Sequence, residues 1–417
     1  MGLLNIVFNE GGPNLENAAV PGEVIGSNLA PVWDGNFHMG KISAVNCPPG
    51  PYLVRAFLPS GEVVTQQVLA KQDEDVSVFL GPAGPSPRET LLRSMVFQGF
   101  SRWPQVGPEV ARLSVEDDRS VSGWIRFWHH SGSNWMEERL PVIGQPDTNL
   151  QHPGPNVLTS AELDIPLGCY WMQLGGEACP WKLVALPGQG RVQIVVTQDA
   201  LPNPAARSDP VHVIISSGRP EAEAMLGFLT RGDVERARGL VRAADWMLEE
   251  KIADPFSAAI GGYFLLLAGE LDRLETRSSN LAEWFPWLAD GSVIAGWHML
   301  RRSDESLPEA RKYFLRAAEI GPPMFGYGLK LLVDGLTYFA EAQAEAGEHD
   351  AEALRALDAV REFYGARVKS PAATSYYGPH PAQPSRQRRL GRRDDAEPPP
   401  LEFGARRDKP VPAGVGG

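Results

Sequence analysis

The side chains able to do chemistry in this chain fall into a few groups, and each carries its own test. Gly35-Asn36-Phe37-His38-Met39-Gly40-Lys41 spells most of a G-x4-G-K phosphate loop. Ile42 stands where a Ser or Thr would hold Mg²⁺, Pro31 interrupts the preceding strand, and Pro48-Pro49-Gly50 blocks a following helix. A phosphate loop needs that helix, because its N-terminal N–H groups hold the anion, so strand and turn are expected instead. His129-His130 with Glu137 and Glu138 offers metal ligands or an acid–base pair. Neighbouring residues of a strand point to opposite faces, so the two rings do not converge on one ion. The chain has no H-x-H, no H-E-x-x-H and no paired C-x2-C. Cys47, Cys169 and Cys179 are odd in number, lack a fourth zinc ligand, and are expected as free thiols. A catalytic thiol would need a base such as His212, and a cleft joining His129, Asp164 and Cys169 would mark an enzyme. No G-x-S-x-G elbow occurs. The pattern leads to no catalytic residue, no metal and no cofactor.

Aromatic residues form the other notable groups. Trp124, Trp128, Trp135, Trp171 and Trp181 concentrate in one β-rich stretch. Trp124, Arg126 and Trp128 share one face of a strand, and Ile125 and Phe127 share the other. Such a row either fills a core or lays out a platform for sugar rings. Trp284-Phe285-Pro286-Trp287 sets three aromatics around a helix-breaking proline. They act either as a wedge between helices or as an anchor for a protein partner. Trp284, Phe285 and Trp287 are therefore the candidate partner-binding residues, with the wedge the favoured alternative.

The elements that must position these residues can be read from periodicity. Tyr52 to Leu58 and Glu62 to Leu69 flank Pro59-Ser60-Gly61 as a hairpin, and Val76, Val78 and Leu80 alternate as in a half-buried strand. Ser86-Pro87-Arg88-Glu89 is a capping-box start, followed by the apolar stripe Leu91, Leu92, Met95 and Val96. Arg112 to Val115 and Trp124 to Trp128 open a second β region. It continues at Cys169–Leu174, Trp181–Leu186, Val192–Val196 and Val211–Ile215. From Pro220 the spacing turns helical, in segments near 222–229, 234–248, 256–267, 293–300, 308–320, 328–346 and 351–364. Asp233 and Asp254 are expected N-caps. From Ser370 onward no apolar period remains, prolines recur, and Arg386, Arg388, Arg389, Arg392 and Arg393 form a basic cluster. That composition predicts disorder.

Charge narrows the function. Lys and Arg number 39 against 51 Asp and Glu, a net −12. Residues 369–417 hold nine of the basic and five of the acidic residues, so the remainder carries −16. An acidic body argues against nucleic acid as its ligand. No apolar run reaches the roughly 18 residues of a membrane span. The opening MGLLNIVFNEGG has neither the charged region nor the cleavage site of a signal peptide. A cytoplasmic protein is expected.

Three resemblances add to this. Ala44 to Tyr52, through Pro48-Pro49-Gly50-Pro51-Tyr52, has a counterpart in Leu163 to Tyr170, through Pro166-Leu167-Gly168-Cys169-Tyr170. Both resemble the Pro-Gly-x-Tyr turns of transthyretin-like and carboxypeptidase-regulatory-type β-sandwiches, which implies a fold and no function. Ala310, Phe314, Ala317 and Pro322 are similar to the second helix of a tetratricopeptide repeat. Ala253-Asp254-Pro255-Phe256, Gly261-Gly262-Tyr263 and Asn280-Leu281-Ala282 before Trp284 resemble a helical segment of uncharacterised bacterial proteins. Those are encoded beside caspase-like or subtilisin-like proteases, which implies an accessory role.

The expected protein is a multidomain α+β chain: two β-sandwich modules, a tetratricopeptide-like helical-hairpin domain and a disordered tail. The expected boundaries are a module at 1–84, a linking helix at 85–100, a Trp-rich module at 101–215, helices at 218–368 and the tail at 369–417. The polar connector Ser216 to Pro220 predicts that the helical part stands alone. The expected function is a non-catalytic adaptor or scaffold for protein partners, among them a protease-like effector. A carbohydrate-binding sandwich is the alternative, and an unfamiliar hydrolase comes after it.

Overall fold

A computed structural model describes residues 2–8, 19–28, 30–38, 41–58, 63–72, 74–80, 123–131, 134–143, 157–177, 179–198, 211–217, 219–342, 350–368, 372–391 and 401–403. The expected linking helix at 85–100 and the strand at Arg112–Val115 lie outside these residues. The architecture is mixed α+β, with several sheets preceding eight α-helices among the described residues.

The first seven strands make one unit. They are β1 Gly2–Phe8, β2 Ala19–Ile25, β3 Pro31–His38, β4 Ile42–Cys47, β5 Gly50–Phe57, β6 Val63–Ala70 and β7 Asp75–Leu80. Two sheets result, ordered β4-β1-β7 and β3-β2-β5-β6, with β1 and β7 parallel. Alternation decides which face is inside: Leu4, Ile6 and Phe8 of β1 are fully buried while Leu3, Asn5 and Val7 face outward. They pack with Val24, Phe37, Val54 and Val78 in a core separate from the rest of the molecule. The phosphate-loop look-alike is strand in this unit: Gly35 to His38 belong to β3, and β4 follows where the loop requires a helix.

The second unit is larger. Its strands are β8 Gly123–Ser131, β9 Asn134–Glu138, β10 Val142–Ile143, β11 Val157–Ile165, β12 Tyr170–Gly175, β13 Lys182–Leu186, β14 Gly190–Gln198 and β15 Val211–Ser216. One sheet runs β10-β11-β14-β15. The facing sheet is completed by two strands from the far end of the chain, β16 Ser375–Tyr377 and β17 Leu401–Phe403. Its order is β16-β13-β12-β8-β17, with β9 also on β8. β17 pairs with Gly123 to Ile125 and β9 with Phe127 to Ser131, so they share one edge of β8.

The helices are α1 Pro220–Arg231, α2 Val241–Glu249, α3 Pro255–Ala268, α4 Glu275–Trp284, α5 Ala289–Arg302, α6 Leu307–Ile320, α7 Gly326–Ala342 and α8 Ala351–Ala366. Their ends follow elementary capping rules. Pro220 and Pro255 occupy first-turn positions, and Gly232 and Gly269 close α1 and α3 in the left-handed conformation at φ +74° and +76°. Asp254 caps α3, its carboxylate accepting from the Ser257 N–H at 3.0 Å. Asp233 makes no such bond, and the chain after it enters a 3-10 turn at Val234–Leu240. Ala310, Phe314 and Ala317 are fully buried, and the Phe314 ring sits where only glycine fits on both neighbours. A Cβ on Gly296 would lie 3.0 Å from that ring, and one on Gly335 2.4 Å.

The connector at Ser216 to Pro220 is not a break in packing. One continuous core takes in Leu163 and Val192, Ile125 and Trp171, Phe256 and Tyr263, and Tyr376. Here the expectation of a disordered tail from residue 369 fails for residues 372–391. Ala372, Ala373, Tyr376 and Tyr377 are buried, and Tyr376 lies between Trp171 of the sheet and Phe363 of α8, at centroid distances of 5.0 and 5.2 Å. The segment lacks a period of its own because it borrows order from a sheet edge that the sequence places far away. Residues 392–400 and 404–417 lie outside the description.

Candidate functional site

Register in the six-stranded sheet brings the Trp-rich residues together. Trp171 pairs with Trp128, and Gln173 with Arg126, so all four face the same way. Arg126 is buried beneath three indoles, its guanidinium carbon 4.6 Å from the Trp128 ring, 5.5 Å from Trp124 and 5.8 Å from Trp181. Its Nε donates to Gln173 Oε1 at 2.6 Å, and Trp128 Nε1 donates to the same oxygen at 3.0 Å. Glu137 stands 3.4 Å from the guanidinium as counter-charge. A buried cation is tolerable only with such partners.

The same network also reaches the returning segment. Gln173 Nε2 donates to Gly378 O at 2.8 Å, and an Arg126 nitrogen donates to Pro379 O at 3.3 Å. Trp181 Nε1 reaches Gly391 O at 3.1 Å, and the Trp181 backbone N–H donates to Arg389 O at 2.8 Å. Arg389 stacks on the outer side of Trp181 at 4.0 Å, and Arg388 on Tyr377 at 4.7 Å. Trp124, Trp128, Trp171 and Trp181 are all buried, so the open platform required for sugar binding is not formed.

On the same face, nearer the helices, a cavity of about 20 Å³ is enclosed by Trp135, Cys169, Trp171, Trp287, Asp290 and Met324, among others. That is room for roughly one water. Asp290, in the first turn of α5, is fully buried. Tyr263 Oη donates to its Oδ1 at 2.8 Å, Met324 N–H to Oδ2 at 2.7 Å, and Phe325 N–H to Oδ1 at 3.3 Å. Burial pushes this carboxyl up to about 6 against the pull of those three donors. Glycine at 328 makes room for the arrangement, because a Cβ there would stand 2.1 Å from Tyr263 Oη. Cys169 faces the cavity with its thiol pushed up to about 12, chiefly by burial. A thiol so placed is no nucleophile at neutral pH.

The other candidates do not converge. His129 stacks on Tyr170 at 4.5 Å and pairs with Glu138 at 3.3 Å. The strand alternation puts that ring on the opposite face from Cys169 and Trp171. Asp164 is exposed on β11, in the other sheet from His129 and the strand that Cys169 precedes. His130 turns to Trp135 at 4.7 Å, its pKa lowered by burial and by the neighbouring His129. Cys47, Cys169 and Cys179 are free thiols. Among the described residues no group of three or more His, Cys, Asp or Glu is placed to hold a metal.

The Trp284-Phe285-Pro286-Trp287 run is divided by its geometry. Phe285 is buried, and Trp287 packs beside it and beside Phe256, at 6.0 and 5.7 Å, while lining the cavity. These two are a wedge. Trp284, the last residue of α4, is 51% exposed. The buried Lys251 nitrogen lies 4.9 Å from its ring centre and also donates to Leu248 O at 3.0 Å. Ile252, next in the chain, is 70% exposed.

Sequence reasoning missed Gln173, Tyr263 as a partner of Asp290, and Asp290 itself. The one usable signal was the row Trp124, Arg126, Trp128, a charge between two indoles on a single strand face.

The helices and the segment that returns from them to the sheet thus form one folding unit on a β-layer. Residues 224–410 match the family model described as the Y4kD C-terminal domain. The matched span starts within α1 and runs past β17, taking in the helices and the returning segment and leaving out β8 to β15. No curated protein and no solved structure matches the chain.

Proposed function

We propose that the chain is a non-catalytic adaptor or scaffold that holds protein partners through its helical part. One observation carries the reading: Trp284 is half exposed, with the Lys251 nitrogen over its ring, and Ile252, next to Lys251 in the chain, is exposed as well. Indoles so presented dominate the energetics of protein interfaces. The wedge residues Phe285 and Trp287 serve it from below, by fixing the end of α4. Stacked helical hairpins of tetratricopeptide type suit a scaffold, and the two transthyretin-like sandwiches are its rigid supports. A protease-like effector is the kind of partner we infer, with the cytoplasm as the compartment, where thiols such as those of Cys47, Cys169 and Cys179 stay reduced.

The test is affinity purification of the full chain from its host, followed by titration of the recovered partner. Trp284→Ala is expected to weaken binding by about 2 kcal/mol or more with the melting temperature held. Unchanged affinity with intact folding would refute the reading.

A further inference from the structure

We propose that the cavity between the six-stranded sheet and α5 receives a primary ammonium group. The indoles of Trp135, Trp171 and Trp287 wall the site, and the Asp290 carboxylate supplies its counter-charge. Trp284 does not line this cavity, so the site and the anchor stand or fall separately.

The charge of the cavity carries the inference. Asp290 is fully buried, and its three donors, Tyr263 Oη and the N–H groups of Met324 and Phe325, are all neutral. Among the described residues no Lys, Arg or His forms an ion pair with it. Those hydrogen bonds favour the ionised carboxyl, which is held at about 6 and so is charged at neutral pH. A buried carboxylate is ordinarily matched by a positive group, and this one has dipoles alone. Burial raises the Cys169 thiol, and the Asp290 charge adds to the rise, so the carboxylate is felt across the cavity.

The walls suit a cation. Trp171 is buried beside Asp290, whereas Trp135, Cys169 and Trp287 are half-buried and reach solvent. The rings of Trp135 and Trp171 stand 82° apart at 6.5 Å and form a corner. Trp287 closes it from the helical side. Indole faces carry negative charge density and attract ammonium groups, most strongly where water is excluded.

Size selects the ligand. About 20 Å³ holds one group as large as a water molecule. An –NH₃⁺ head has that size, and its alkyl stem can leave past the half-buried rim. A trimethylammonium head is too large. A hard metal ion requires several oxygen ligands, and no group of three or more His, Cys, Asp or Glu is placed to hold one among the described residues.

The test is a titration of the full chain, labelled with fluorotryptophan, with butylammonium near neutral pH and at fixed ionic strength. The fluorine resonances of Trp135 and Trp287, assigned through Trp135→Phe and Trp287→Phe, are expected to shift saturably. For so small a ligand the dissociation constant should lie in the millimolar range, and the Trp284 resonance should stay still. Tetramethylammonium at the same concentration should move neither signal. Asp290→Asn should weaken binding by about tenfold or more. Trp135→Leu, read at the Trp287 resonance, should weaken it by about threefold or more, and it carries the test if Asp290→Asn lowers the melting temperature. Nα-acetyllysine amide then separates the sources. Binding equal to that of butylammonium assigns the occupant to a lysine side chain, and its failure to bind assigns the occupant to a free amine. Resonances that do not move, an equal response to tetramethylammonium, or unchanged affinity in both variants with folding intact would each overturn the proposal.

Discussion

The two sandwiches share a turn and differ in what covers them. Gly50 and Gly168 adopt nearly the same backbone angle, φ +158° and +159°, each two residues before a tyrosine, the third residue of β5 in one case and the first of β12 in the other. In the first unit Tyr52 Oη donates to Pro48 O at 2.8 Å, and Cys47 is buried in a core built by that unit's own strands. In the second, Tyr170 stacks on His129, and Cys169 looks out of the sandwich at the helices. The cause is the outer face. Strand β1 presents Leu3, Asn5 and Val7 outward, which water tolerates. Strands β8 and β12 present Trp124, Arg126, Trp128, Trp171 and Gln173, which it does not. One unit is closed by its own sheets, and the other needs the helices and residues 372–391. The residue types on a sheet's outer face thus decide whether a module can stand by itself.

The largest expected effect comes from removing the cover. Truncation after Ser370 deletes the fully buried Tyr376 and exposes the tryptophan row. The melting temperature of the second unit should fall by about 10 °C or more, while the transition of residues 2–80 stays where it was. Differential scanning calorimetry of both forms reads this directly, and equal stability would show that the sheet does not need the segment. For the same reason, an isolated fragment of residues 218–368 should be poorly folded by circular dichroism, despite the polar connector that precedes it.

Next in size is Asp290→Ala, which leaves Tyr263 Oη and the N–H groups of Met324 and Phe325 without an acceptor. A loss of about 2–4 kcal/mol is expected in urea unfolding, with the first sandwich unaffected. The same carboxyl gives a pH signature. Its folded pKa of about 6 lies above its ordinary 3.8. The contribution is therefore complete below about pH 4 and declines as pH rises through 6. Asp290→Asn should flatten the stability profile in that interval, and a profile identical to wild type would mean that the group does not titrate there.

Asp350 works in the opposite direction. Hydrogen bonds from Arg311, at 2.5 and 2.8 Å, hold it at about 2, and it caps α8 through the Ala353 N–H at 3.0 Å. Its contribution is present above about pH 4 and is lost as pH falls through 2. Asp350→Ala should cost about 1–2 kcal/mol at neutral pH. The smallest effect expected is Trp284→Ala, within about 0.5 kcal/mol of wild-type stability. Trp287→Ala, from the wedge, should cost about 3 kcal/mol or more. That pair of numbers separates surface from support within four residues.

The sequence made the strands and helices legible where one face repeats. Val192–Val196, Val211–Ile215 and the Ala310-Phe314-Ala317 stripe fall within strands β14 and β15 and helix α6, as periodicity requires. It did not show what happens at residues 372–391, because Ser375-Tyr376-Tyr377 is too short to carry a period and gains its order from β13, nearly two hundred positions earlier. Asp290 was hidden for a related reason. A lone Asp near a helix start reads as a first-turn acid, and only the fold brings Tyr263 and Met324 to it. The indole row was legible as a choice between core and platform, and the covering segment was the missing fact.

The pairing of β16 with β13 and of β17 with β8 also fixes an order of events at the ribosome. The sandwich at residues 2–80 can close as soon as it has emerged, since its strand partners all lie within it. The sheet beginning at β8 cannot close until Tyr377, and at its other edge Phe403, has been synthesised. For most of translation Trp124, Trp128, Trp171 and Trp181 face the cell with nothing over them. At roughly 5–20 residues per second the interval lasts on the order of ten seconds or more. A nascent chain of this kind is a natural client for a holdase chaperone, and a ribosome stalled before residue 372 would release a product that cannot finish folding.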